Sequence, residues 1–257
     1  MAIVLLASFM PTLVHAQDAS SGTQSGNGFR ISPVRVEMTI DKGKSDTATL
    51  SIENPTSGPI NAKIVANDFE AAADETGQPR IILDSTKSAP SNSFKSLIGD
   101  LGSIYLPPST TKDIKVKITV PANASAGGYY GAVRVVPDTE ANKNVSLSAS
   151  VGTIFLITVP GQLTESLQLV EFTAAKNGST GRFFVNSGEM SIVTRLKNTG
   201  NIHVKPFGHV QVTDRSGKVV EEYEFNNGTP RANVLPNTTR KFDDKLKNQK
   251  WIGKYTI

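Results

Sequence analysis

With 257 residues the chain has room for two domains of ordinary size, each able to bury its own core. Hydrophobic residues make up 38% and cysteine is absent, which excludes disulfide-stapled scaffolds, iron–sulfur centres, cysteine-ligated zinc and thiol catalysis. The net charge of +4 is spread along the chain, with a mild concentration from Arg231 to Lys254; it reads as a solvated surface, and no nucleic-acid motif accompanies it.

In chain order, Ile3 to Met10 is apolar and Val14-His15-Ala16 offers small residues at −3 and −1, so residues 1–16 read as a signal peptide. The usual positive n-region is missing, and a misplaced start or a fragment is expected. Residues 17–28 are Ser, Gly, Gln, Asp and Asn in the main, the composition of a flexible linker. No later stretch holds the roughly 20 apolar residues that a transmembrane helix needs.

From Phe29 onward, alternation of period two dominates. Ala48, Leu50 and Ile52 alternate with Thr49, Ser51 and Glu53 before the turn Asn54-Pro55-Thr56-Ser57-Gly58. Ile60 to Ala66 follows, then Ile114 to Val120 with lysines outward, Tyr129 to Val136 after the turn Gly127-Gly128, Val145 to Val151, and Ile154 to Val159. Asp74 to Ser103 is long for a loop, interrupted by short strands at Arg80 to Leu83 and Ile104 to Leu106, and is a candidate recognition segment. Pro160-Gly161 is the best boundary. Beyond it come strands around Leu167 to Phe172, Gly188 to Asn198, Val210 and Val212, Val219 to Phe225, Phe242, and Gly253 to Ile257. Short strands with turns every 8 to 12 residues or so predict an all-β chain of two tandem immunoglobulin-like β-sandwiches, residues 29–160 and 161–257. The second falls about one strand short of closure, so a truncated C-terminus is expected.

Catalysis needs convergent titratable groups, and none converge. Asp243-Asp244 and Glu221-Glu222 are adjacent strand residues that point to opposite faces. His203 and His209 lack a third ligand, and each reads as a solvent-facing strand residue. No catalytic residue, metal site or cofactor is expected. Five Asn-x-Ser/Thr sequons, at Asn123, Asn144, Asn177, Asn227 and Asn237, read as chance matches in a chain this rich in Ser, Thr and Asn. Two aromatic features invite a saccharide reading. One of Tyr129 and Tyr130 must face the core, leaving the other outward, and Trp251 follows the basic stretch Lys245 to Lys250, where core packing of the second sandwich competes with binding.

Ile31-Ser32-Pro33, Val120-Pro121-Ala122-Asn123-Ala124, Ala126 to Val133, Leu196 to Asn201, Val234-Leu235-Pro236-Asn237 and Gly253-Lys254-Tyr255-Thr256 occur in an order that resembles the WxL-interacting cell-surface proteins of Gram-positive bacteria and related two-domain envelope proteins of candidate-phylum bacteria. The resemblance covers most of Phe29 to Ile257 and implies a first domain on peptidoglycan, a second on a partner protein of the surface, and a C-terminal membrane anchor that this sequence lacks. A rival class is the periplasmic pilus chaperone, whose first-strand arginine and last-strand lysine grip a client carboxylate while an alternating strand completes the client's fold. Arg35 matches the arginine and Val145 to Val151 the donor strand. The lysine has no match: Lys143, the nearest, precedes the strand. A structural stalk or adhesin module is the third reading.

Overall fold

A computed structural model describes residues 18–20, 24–26, 28–84, 86–89, 92–138, 150–184, 188–247 and 253–257. The chain is all-β, with no α-helix among the described residues. In order, its N-terminal part forms β1 (Asp18–Ser20), β2 (Gln24–Gly26), β3 (Phe29–Ser32), β4 (Arg35–Thr39), β5 (Ser45–Asn54), β6 (Ile60–Ala71), β7 (Pro79–Ile81), β8 (Asn92–Ser93), a single 3₁₀ turn (Lys95–Leu97), β9 (Ser103–Leu106), β10 (Thr110–Thr119), β11 (Gly127–Pro137) and β12 (Val151–Val159). The C-terminal part forms β13 (Leu167–Lys176), β14 (Ser179–Gly181), β15 (Met190–Asn198), β16 (Gly208–Asp214), β17 (Val219–Phe225), β18 (Thr239–Lys245) and β19 (Tyr255–Thr256).

Among the described residues, no strand up to Val159 pairs with one from Leu167 onward. In the N-terminal half, an eight-stranded sheet ordered β1-β4-β12-β11-β6-β7, with β8 and β9 beside it, faces a four-stranded sheet ordered β10-β5-β3-β2. Their inner faces supply one core: Phe29, Ile31, Leu50, Ile52, Val116, Ile118, Phe155 and Ile157 are completely buried. The alternation of β5 and β10 follows from this one-sided burial. Ala48, Leu50, Val116 and Ile118 point in, while Thr49, Lys115 and Lys117 point to water. In the C-terminal half, β14-β13-β15-β18 faces β17-β16-β19 around a smaller cluster of Ile192, Val212 and Leu246.

The stretch β3–β4 serves both sheets. β3 pairs antiparallel with β5, the chain crosses over at Pro33 and Val34, and β4 then pairs parallel with β12, Arg35 opposite Ile154 and Thr39 opposite Thr158. The crossing is stitched by Ile154 N–H to the Val34 carbonyl (2.9 Å) and the Thr153 hydroxyl to the Pro33 carbonyl (2.7 Å). Two short strands, β1 on β4 and β2 on β3, lie inside the stretch read as a flexible linker. Edge pairing uses backbone groups alone, so a segment poor in apolar side chains can supply it.

The two halves repeat one hydrogen-bond figure. Asn54 and Asn198, both fully buried, end β5 and β15. Asn54 Nδ2 donates to the carbonyls of Gly58 (2.8 Å) and Leu106 (3.2 Å), and its Oδ1 accepts from Thr56 N–H (3.0 Å). Asn198 Nδ2 donates to Ile202 (2.7 Å) and Val234 (2.9 Å), and its Oδ1 accepts from Gly200 N–H (2.8 Å). The turns that follow Leu106 and Val234 match as well. Thr110 Oγ1 reaches the Pro107 carbonyl and Thr238 Oγ1 the Leu235 carbonyl, both at 2.8 Å, after Ser109 and Asn237 with φ of 52° and 58°.

Candidate functional site

The polar groups of interest gather where the two halves meet. Arg35 opens β4 and pairs with Glu37, two residues on and therefore on the same face of the strand. Lys205, in the segment between β15 and β16, reaches across from the other half to Glu37 Oε2 at 2.6 Å. All three side chains are at least two-thirds buried, Glu37 the most, at 15% exposed.

Beside this cluster Tyr130 meets His203. The His203 backbone N–H donates to the tyrosine oxygen (2.8 Å), the ring Nδ1 lies 3.2 Å from the same oxygen, and the rings meet edge to face at 5.6 Å between centroids. A hydroxyl that accepts from the N–H and donates to Nδ1 requires a neutral imidazole protonated on Nε2. Burial pushes His203 down from 6.5 to about 4, and the charges of Lys205 and Arg35 push it the same way. Burial also raises the Tyr130 phenol. Beneath the ring, Phe69, Tyr130 and Leu156 form an apolar cluster that takes Leu235 from the C-terminal half.

This corrects the reading of Tyr129 and Tyr130. Neither is open to solvent, at 5% and 4% exposed. Tyr129 points into the main core and donates to the Ser125 carbonyl at 3.1 Å. Tyr130 points to the opposite face, as alternation requires, but the C-terminal half covers that face. Gly128 lies within β11 rather than in a turn; a Cβ there would stand 1.8 Å from the Tyr130 oxygen, so only glycine leaves room for it. His203 is likewise not solvent-facing, whereas His209 is, held between Glu224 (3.1 Å) and Glu222 (3.4 Å), whose hydrogen bonds raise its pKa.

The described residues of the segment Asp74 to Ser103 are pinned rather than free. Asp68, 1% exposed on β6, accepts from Ala89 N–H (2.9 Å) and the Ser93 hydroxyl (2.8 Å) on Oδ2 and from Lys95 N–H (2.9 Å) on Oδ1. Phe94 is thereby set into the core, stacked on Phe155 at 5.2 Å. Lys205 and Asp68 both escaped the sequence reading. Asp68 sits in a strand where a solvent-facing acid is the default, and Lys205 stands 168 residues from Glu37. Trp251 and residues 145–149 of the proposed donor strand lie outside the described residues; Val151 opens β12.

Among the described residues, no three His, Asp or Glu side chains gather to hold a metal ion, and no helix is long and apolar enough to cross a membrane. Asp244, partly buried, is raised by burial and by the neighbouring Asp243 charge, against the lowering effect of a hydrogen bond with Tyr223.

No family model matches the sequence, and no curated protein matches it. Among solved structures, one from a chaperone–tip adhesin complex of CFA/I fimbriae biogenesis aligns with TM-score 0.44 at 13% identity, over 86% of this chain and 87% of that one. A structure of the Salmonella enterica SafA pilin in complex with the SafB chaperone gives 0.42 at 14%, over 85% and 84%, and the E. coli chaperone DraB gives 0.42 at 12%, over 86% and 85%. At these scores the likeness leaves function to be argued from the residues.

Proposed function

We propose that this chain is a non-catalytic protein of the bacterial cell envelope, two immunoglobulin-like sandwiches that hold a client protein in the angle between them, as pilus chaperones do. The observation that carries the reading is the meeting of Arg35 and Lys205 on Glu37. A client carboxylate entering this junction competes with Glu37 for two cations in a partly desolvated setting, where charge-assisted hydrogen bonds are strongest. Lys205 thus takes the place of the lysine that the sequence lacks on its first domain. The apolar run read as a signal peptide supports export. The wall-binding reading rests on the resemblance alone, and the tyrosine faces it relied on are engaged in packing.

The test uses a synthetic peptide of alternating apolar residues, once with a free C-terminal carboxylate and once amidated, in calorimetric titration against the full chain. The free acid should bind more tightly. Arg35→Ala or Lys205→Ala, checked for folding by circular dichroism, should each remove about 1.5 kcal/mol or more of that preference, roughly tenfold in affinity. Equal binding of the two peptides would end the carboxylate reading.

A further inference from the structure

The turn between β6 and β7 reaches out of the N-terminal half onto the face and edge of the other. Ala72 N–H bonds to the Gln78 carbonyl (2.9 Å), and the Asp74 carboxylate accepts from Thr76 N–H (3.1 Å) and Oγ1 (2.8 Å). The corresponding turn between β16 and β17 is built in the same way: the Asp214 carboxylate accepts from Ser216 N–H (2.8 Å) and Oγ (2.6 Å). The two turns differ at the tip, which is Arg215 in the second and Glu75 in the first. Glu75, with φ of 60°, lies against β15 and β18.

Three contacts seat that tip. Its carboxylate takes a two-pronged bond from Arg195 of β15, Nε at 2.7 Å and Nη2 at 2.6 Å. Its carbonyl accepts from Lys241 N–H at 2.8 Å. Lys241 lies opposite Arg195 on β18, the last strand of its sheet, so this bond caps the sheet's outer edge. Behind the tip, Gly77 lies flush on the Arg240 guanidinium, where a Cβ would stand 2.3 Å from Cζ. Arg240 is itself held by the Asn233 carbonyl (2.8 Å), and Arg195 by Glu171 (3.3 Å). Both arginines are therefore held by their own half as well as by the tip.

We infer that residues 72–78 form an ionic clasp that sets the angle between the two halves, and that its release frees them to swing about the connection at residues 160–166. A bidentate arginine–carboxylate pair fixes direction as well as distance, and a backbone bond to a sheet edge adds a second axis. Lys205 reaches Glu37 across the same junction, so the clasp also fixes the separation of those groups.

Because the chain has no cysteine, spin labels can be placed cleanly at Thr49→Cys and Lys218→Cys, one exposed site on each half, for pulsed electron resonance on the full chain. The wild type should give one narrow distance distribution. Glu75→Gln should broaden it at least twofold, and 1 M salt should broaden the wild type in the same direction. Glu70→Gln, which breaks the Glu70–Arg80 pair inside the N-terminal half, should leave it narrow. An unchanged distribution in Glu75→Gln, or equal broadening in Glu70→Gln, overturns the clasp.

Discussion

Acidification should loosen the junction through His203 before it touches the carboxylates. In the folded chain this histidine is neutral and largely buried, with a pKa near 4 against 6.5 when free, because burial and two neighbouring cations oppose its charge. A folded pKa below the unfolded one means that the unfolded chain binds the proton first. The stabilisation is therefore complete above about pH 6.5, declines as pH falls, and is gone below about pH 4. At about 1.4 kcal/mol per tenfold in proton affinity, the drop is worth about 3 kcal/mol. On protonation the Nδ1 that accepts from Tyr130 becomes a donor, so the loss falls on the contact between the halves. The assay compares urea unfolding of the wild type and of His203→Gln at pH 7.5, 5.5 and 4.5, with the His203 ring proton followed by NMR. The wild type should lose up to about 3 kcal/mol more than the variant over this range. A His203 titration midpoint near 6.5, or parallel pH profiles for the two proteins, refutes the argument.

Three further outcomes are expected. Asp68→Ala leaves two partly buried N–H groups without their acceptor, at about 1 kcal/mol each, and limited proteolysis should then cut near Ala89 and Lys95 while the wild type resists. Asn54→Ala and Asn198→Ala should each cost about 2 kcal/mol or more in denaturant titration, since each strands buried carbonyls at the same place in the two halves. Tyr129→Ala and Tyr130→Ala should both destabilise by about 3 kcal/mol or more, as truncations of buried aromatics, where an outward tyrosine would cost almost nothing.

Most strands were legible because a strand buried on one face must alternate, and β5 and β10 do so residue by residue. The same rule places Tyr129 and Tyr130 on opposite faces, and they are. What alternation cannot show is whether the far face meets water or another part of the chain. β11 is buried from Gly127 to Val133 because one face lines the main core while residues of the C-terminal half cover Tyr130 on the other. Asp68 carries no local signal, because the N–H groups it binds lie 21 and 27 residues further along the chain. The junction depended most on tertiary structure. Lys205 with Glu37, Tyr130 with His203, and Glu75 with Arg195 are separated by 73 residues or more, whereas Arg35 with Glu37 is a local pair. Local pattern reports the period of a strand and the chemistry of its turns, which neighbouring residues determine. Which charged side chains lose their water together is set by how the sheets pack, and that appears only when the whole chain has closed.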